Sequence, residues 1–495
     1  MGEFRGMSDA IRQLEPATLW GRFADLNAIP RASGKEEAVC HWITNLAKGA
    51  GLDVSSDGVG NVLVRKAASP GMENRKTVIL QSHVDMVHQK NNDTSFDFDT
   101  EGIRMKIDGD WVRAEGTTLG ADNGLGVATM LALMESTDIA HPPLEFLFTI
   151  DEETGMTGAL ELQRDWMKGD ILLNLDTEDD REIGIGCAGG IDLGFSGKFN
   201  TVPAALSHGV QIEVKGGSGG HSGMDIHKGI ANANKVLVRI LREMDLACTA
   251  DERIALAAFE GGGLRNAIPR EAGATLASDS DAAAWASRMA ALTQAIQAEY
   301  RTTDPDLTVD FHPTGAPQTV LESGAAAALL AALDLCPNGI DRMSPDIPGL
   351  VQTSNNLARL QLVDGAVEVH CLTRSSVDTE KMDLARRIEA GFDMAGLAAA
   401  RGGAYPGWTP DPSSEVVQMM ADLYKELHGE DPLVLACHAG LECGILGSRY
   451  PGLDMVSFGP TILGAHSPDE RASIPSVRKY WAWLIEALAR TPQTA

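Results

Sequence analysis

Five places in this 495-residue chain set ionisable side chains at the ends of short apolar runs or in the loops beside such runs. Residues 77–82 (TVILQS) lead into His83-Val84-Asp85. Residues 144–150 (LEFLFTI) lead into Asp151-Glu152-Glu153, and residues 171–175 (ILLNL) into Asp176. Gly120-Ala121-Asp122-Asn123-Gly124 forms a loop before an apolar helical stretch. Gly464-Ala465-His466-Ser467-Pro468 forms a loop after the last predicted strand. In open α/β sheets, ligands bind just beyond the carboxyl ends of strands, so these side chains are expected at one sheet edge. Two imidazoles and three carboxylates, with Asp85 and Glu152 left over, suit a pair of zinc ions. Each ion takes one His and one terminal carboxylate, and one Asp bridges them together with a water. A carboxylate outside the ligand set can then deprotonate that water.

Each fragment also has a plainer reading. A lone His at a strand end is more often structural, adjacent acids form solvated caps, and Asp-Asn-Gly is an ordinary turn or N-cap. The combination favours a metal, because carboxylates clustered at strand ends repel one another unless a cation compensates them.

The elements that must position these residues alternate in type. Residues 17–29, 36–50 and 125–134 read as helices, and 59–66, 77–81, 144–150 and 171–175 as strands, which predicts an α/β layer with a mostly parallel sheet. After the glycine-rich stretch 184–194 the pattern changes. Strands at 210–215, 253–260, 272–277, 307–311, 357–362 and 366–372 alternate with helices at 230–244, 282–298, 325–335 and 382–394. Such a sequence of elements suggests an inserted α+β domain. Residues 401–412 (RGGAYPGWTPDP) read as a return linker. A helix at 414–428, strands at 433–436 and 455–458 and a helix at 476–489 complete the chain. The expected organisation is a discontinuous α/β domain, 1–189 and 402–495, interrupted by an inserted domain at 190–401.

Composition narrows the function classes. Lys and Arg number 41 against 69 Asp and Glu, a net charge of −28, which argues against nucleic acid and anionic membrane surfaces as partners. Seven scattered cysteines without CxxC spacing argue against a disulfide scaffold or zinc ribbon and fit a reducing cytoplasm. No apolar run is long enough to span a membrane. Residues 1–8 carry no apolar segment, so no secretory signal is expected, and Met7 is an alternative natural start.

The motifs HVD, GTTLGADNG, DEETG, NLD and GAHSPDE, in that order, resemble those of the dinuclear-zinc metallopeptidases, a family that includes carboxypeptidase G, aminotripeptidases and carnosinases. The further stretches ENRKTVILQSHVDMVHQKNND, CAGGID, GGHSG, LRNAIPREA, GAYPGW and HAGLECG are similar to its aminoacyl-histidine dipeptidase subgroup. The resemblance runs from about Leu19 to the C-terminal helix. It implies a zinc-peptidase-like catalytic domain with two Zn2+ per chain, replaceable by Co2+ or Mn2+. The implied ligands are His83 and Asp176 on one ion, Glu153 and His466 on the other, and Asp122 as the bridge. Glu152 matches the general base, and Asp85 holds the second ring nitrogen of His83. His221 matches a residue that stabilises the oxyanion, and Asn266, Arg374 and Gly440 match substrate contacts, with Arg374 gripping a peptide carboxylate. The same resemblance makes the discontinuous domain, 1–189 and 402–495, the catalytic one and the inserted domain, 190–401, the lid and dimerisation domain of a homodimer, and it implies hydrolysis of X-His dipeptides. His227, His370 and His428 are given no chemical role, and His438 and Glu442 are set aside because the ligand set is already complete. Competing readings are an aminotripeptidase, a carboxypeptidase, an amino-acid deacylase, or a catalytically silent metal-binding interaction protein.

Overall fold

The computed structural model describes residues 10–249 and 252–494. The alternative start at Met7 lies outside the described residues. The chain divides into two compact units. One comprises Met1–Gly186, Pro410–Ala436 and Leu441–Ala495, and the other Cys187–Thr409 with Cys437–Gly440.

The first unit is built on an eight-stranded sheet. Its order is Asp53–Ser56, Val62–Lys66, Leu144–Thr149, Val78–His83, Ile171–Asn174, Asp454–Ser457, Glu182–Cys187, Leu433–Cys437. The central four strands are parallel. The flanks are antiparallel, so the sheet is mixed rather than mostly parallel as the sequence suggested. The reason is local: Asp53–Ser56 and Val62–Lys66 are joined by a short loop, which forces an antiparallel pair, whereas parallel neighbours need long crossovers. Val78–His83 and Leu144–Thr149 are buried at every position, as continuous apolar runs in the middle of a covered sheet should be.

Helix Ala121–Glu135 packs on Val78–His83 and is buried almost throughout, being apolar on all sides. Its outer side is covered by helix Ala17–Leu26, whose Leu19, Trp20 and Phe23 join Leu125, Ala128 and Ala132 in one apolar cluster. A second, four-stranded sheet orders Ile462–Leu463, Arg471–Ser473, Trp111–Ala114 and Met105–Asp108. It holds the loop that carries His466. Its hairpin turns at Gly109-Asp110, with Gly109 at φ +59°, a dipeptide of the kind that closes two-residue β-turns.

The second unit has a nine-stranded sheet whose recorded pairings are all antiparallel. Helices Ala233–Leu246, Ala282–Tyr300, Ser323–Leu335 and Asp378–Met394 contribute to its single large apolar core. The stretch expected to be a return linker is partly a strand. Ala398–Tyr405 pairs with Gly189–Lys198 at the sheet edge, with an irregularity between Gly402 and Tyr405. An exposed edge strand with glycines and a bulge lacks the alternating apolar signal of an inner strand, so it reads as a loop. Among the described residues no helix is long and apolar enough to cross a membrane, and none of the seven cysteines forms a disulfide.

Candidate metal centre

Val78–His83 ends on His83, and the parallel register puts His83 level with Thr149, so the strands carrying His83 and the Glu152-Glu153 pair end side by side. Ile171–Asn174 ends two residues before Asp176 on the other side of Val78–His83. Asp122 stands at the start of Ala121–Glu135, where Asp122 and Asn123 depart from helical dihedrals and turn the Asp122 side chain away from the helix ladder. Glu152 and Glu153 open a one-turn helix, Glu152–Gly155.

These placements bring five side chains together. His83 Nε2 lies 3.2 Å from Asp122 Oδ1 and 3.4 Å from Asp176 Oδ1. His466 Nε2 lies 3.1 Å from Asp122 Oδ2 and 3.1 Å from Glu153 Oε2. Asp122 thus offers one carboxylate oxygen to each imidazole. Single ligand atoms of His83, Asp122 and Glu153 fall within 4.8 Å of one another. Glu153 Oε1 is buried without a hydrogen-bond partner, and Asp176 Oδ1 has only the His83 ring, at 3.4 Å, among the described residues. Buried carboxylate oxygens are costly when unpaired, so this donor set fits cations.

The ring of His83 is fixed from its other side. Its Nδ1 is 3.2 Å from the Asp85 carbonyl oxygen and 3.3 Å from Asp85 Oδ1. The Asp85 carboxylate is fully buried and accepts from Ser33 Oγ at 2.8 Å and from the backbone N–H groups of Glu152 at 3.0 Å and Glu153 at 3.2 Å. Asp85 therefore orients His83, through its carbonyl and its carboxylate, and its carboxylate pins the turn that presents Glu152 and Glu153.

Two further charged residues, to which the sequence reading gave no role, tie the loops of the site together. The Glu470 carboxylate accepts from the N–H groups of Leu119, Gly120, Ala121 and Asp122 at 2.6–3.2 Å, clamping the Asp122 loop to the His466 loop. The Arg31 guanidinium donates to the carbonyls of Val84, Asp85 and Gly120. Gly120 has φ +69°, and a Cβ there would lie 2.5 Å from Arg31 Nη2, so the loop needs glycine at this point. Glu470 was visible as the last letter of GAHSPDE; Arg31 carries no motif at all.

The electrostatics follow from burial and proximity. Burial works against a charged His83, yet Asp176, Asp122 and Asp85 outweigh it and hold the imidazolium well above its usual range. Hydrogen bonds to Asp122 and Glu153 push His466 up to about 11 against the cost of burial. Burial raises Asp176 to about 6, although His83 opposes it. Burial also lifts Glu152 well above the usual carboxylate range, partly countered by His83 and reinforced by Asp176, Glu442 and Glu153. The surrounding carboxylates thus favour the protonated form of both imidazoles.

His221, Asn266, Arg374 and Gly440 belong to the second unit. His221 lies on the two-residue strand Gly220–His221, paired with Ala267, so Asn266 is its neighbour across the ladder. His221 Nδ1 accepts the N–H groups of Gly223 at 3.2 Å and Met224 at 3.0 Å, which leaves Nε2 to carry the proton of the neutral ring. Burial, aided by Arg374, lowers the pKa of His221 and keeps that neutral donor form. Arg374 is only 4% exposed. It donates to Tyr405 Oη at 2.9 Å and lies 3.4 Å from Ser222 Oγ, and among the described residues no carboxylate comes within ion-pair distance of it. Gly440 faces the ring of Tyr405, where a Cβ would sit 3.0 Å away.

The profile of peptidase family M20/M25/M40 matches residues 79–490. The chain is 43% identical over 490 residues to the cytosol non-specific dipeptidase of Escherichia coli (strain K12), covering 97% of this chain and 99% of that protein. Its structure is similar to that of the aminoacylhistidine dipeptidase of Vibrio alginolyticus, at 42% identity, TM-score 0.89 and full coverage of both chains. A tripeptidase from Staphylococcus aureus shares the fold at TM-score 0.55 with 16% identity, over 96% of this chain and 98% of that one. The match over most of the sequence and the likeness over the whole structure carry the assignment: the chain belongs to peptidase family M20/M25/M40.

Proposed function

We propose that the protein is a dizinc dipeptidase acting on X-His and other dipeptides, in the cytoplasm, as a dimer formed through a lid at about 190–401. The observation that carries the metal reading is the Asp122 carboxylate, with one oxygen facing His83 and the other His466. His83 and Asp176 would hold one ion, His466 and Glu153 the other, and Asp122 both; cobalt or manganese ions also suit this nitrogen and oxygen set. Bound there, the ions would supply an activated water and polarise the scissile carbonyl. The protein's own part is proton handling and charge placement. Glu152 takes the water proton on its carboxylate and returns it to the leaving amine nitrogen, a task suited to a carboxyl lifted by burial. His221 donates from Nε2 to the carbonyl oxygen as negative charge gathers on it. Arg374, buried without an acidic partner among the described residues, takes the substrate's C-terminal carboxylate, together with Asn266 and Gly440.

The two relatives above 40% identity are both named dipeptidases, which favours a dipeptide over longer substrates. The first bears the name of a cytosolic protein, in line with the cytoplasmic reading. A fixed cation for the carboxylate sets substrate length. Extending the peptide at its C-terminus moves the carboxylate past Arg374 and forfeits a charge-assisted contact of roughly 1.5–3 kcal/mol, or about 10–150-fold in kcat/KM. The test compares Gly-His, carnosine, Gly-Leu and Gly-His-Gly on one zinc-loaded preparation. Equal or better hydrolysis of Gly-His-Gly would replace this reading by an aminotripeptidase.

The protonated histidines give the metal reading a second test. A metal must displace any proton held on the ring nitrogen it binds, so zinc affinity is expected to rise with pH and binding to release protons near pH 7. Calorimetry in two buffers of different ionisation enthalpy measures that release, and the same titration gives the stoichiometry. Two zinc equivalents per chain with proton release support the dinuclear site. A single equivalent in fully active protein contradicts it.

A further inference from the structure

Beneath the row of metal-site side chains runs a second polar row that the proposed chemistry does not use. Gln81 and Asn174 stand opposite each other in the register of Val78–His83 and Ile171–Asn174, and Asn174 stands opposite Ser457. All three are buried. Gln81 precedes His83 by two residues and Asn174 precedes Asp176 by two. Because side chains repeat every second residue along a strand, this row underlies the site by one pleat.

Glu442, the first residue of helix Glu442–Arg449, heads the row and is 1% exposed. Its Oε2 accepts from Gln81 Nε2 at 2.6 Å and from Thr149 Oγ1 at 2.7 Å. Gln81 Oε1 then accepts from Asn174 Nδ2 at 2.6 Å, and Asn174 Oδ1 accepts from Ser457 Oγ. The Glu442 acceptor fixes the direction of the chain. Facing it, Gln81 must present its amide nitrogen, so its oxygen faces Asn174, which must present nitrogen in turn. Three strand ends are thereby linked: those leading to His83, to Glu152 and Glu153 through Thr149, and to Asp176.

We infer that Glu442 is a positioning residue, acting through Gln81, Thr149 and Asn174 to set the spacing of the strand ends that carry the metal ligands. The inference rests on the dinuclear reading of the site. An apolar core would hold these strands together equally well. What the polar row adds is one register and one side-chain orientation, because Gln81 and Asn174 each meet both neighbours in only one amide orientation, while Glu442 Oε1 stays without a partner among the described residues.

The experiment measures zinc affinity by competition with a chromophoric chelator on metal-depleted protein, alongside thermal unfolding and kcat. Glu442→Leu and Gln81→Leu should each weaken zinc binding by about 10–100-fold, the range found when groups that orient metal ligands are removed. Glu442→Gln keeps an acceptor and should stay within about threefold of the parent. The double variant Gln81→Leu/Glu442→Leu should be no weaker than the worse single one, since the two act as a unit. Thr149→Val removes one hydroxyl at nearly constant volume, and its zinc affinity carries the test if the leucine variants do not fold. Folded leucine variants that lose thermal stability but bind zinc like the parent would overturn the inference, as would additive losses in the double variant. A parent protein that binds no zinc would instead overturn the dinuclear reading and this inference with it.

Discussion

Glu152→Gln is expected to keep its fold and its zinc while kcat falls by about 10²–10⁴-fold, the share usually carried by a general base. The substitution is close to isosteric, and the main chain at this point does not depend on the side chain. The Glu152 N–H is held by Asp85 Oδ1 at 3.0 Å, and the neighbouring Glu153 N–H by Asp85 Oδ2 at 3.2 Å. Glu153 therefore stays beside His466, and only the proton acceptor is lost, since an amide oxygen cannot take the water proton. The wild-type carboxyl is raised by burial and by Asp176, so it can release that proton again to the leaving nitrogen. The readouts are zinc content, the unfolding midpoint and kcat on Gly-His. Near-normal kcat in a zinc-replete variant would remove Glu152 from the role, and zinc loss would recast it as a ligand.

The central strands and the residues at their ends were readable in the sequence because they combine two strong local signals. Val78–His83, Leu144–Thr149 and Ile171–Asn174 are apolar runs of strand length, and each is followed within three residues by a His or an acid that has no reason to sit at a buried strand end unless something there requires it. Helix Ala121–Glu135 was readable for the same reason, although it begins four residues before the stretch assigned from sequence, because Asp122 and Asn123 interrupt it. What escaped depends on partners far away in the chain. Glu470 clamps backbone N–H groups roughly 350 positions earlier, and Glu442 accepts from Gln81 and Thr149 roughly 300 or more positions earlier. Both acids stand in the motifs GAHSPDE and HAGLECG, but the motifs do not say which distant groups they hold. The Gln81, Asn174 and Ser457 row has no local signature, because only the register sets the residues opposite one another. The edge strand Ala398–Tyr405 and the Met105–Asp108 and Trp111–Ala114 hairpin escaped because they are short or exposed, and pairing, not burial, defines them.

His221→Ala is expected to lower kcat by about 10²–10³-fold with little change in KM, the loss typical of one missing oxyanion donor. The argument starts from the ring nitrogens. With Nδ1 accepting two backbone N–H groups, the neutral imidazole is committed to the Nε2–H tautomer, so it presents a donor and not a base. Burial and the nearby Arg374 lower its pKa, which favours the neutral donor form. Two consequences separate this role from its rivals. A donor aimed at charge that exists only near the transition state contributes to kcat and not to ground-state binding. A ring that is already neutral adds no ionisation of its own to the pH profile, so kcat/KM of the alanine variant should fall by about the same factor at pH 7 and pH 8.5, both above the ordinary imidazole value that burial lowers further. A general acid would instead lose more at the lower pH, where more of it is protonated in the wild type. The comparison is kcat and KM for Gly-His at both pH values, wild type against His221→Ala. A raised KM at unchanged kcat would assign His221 to substrate binding.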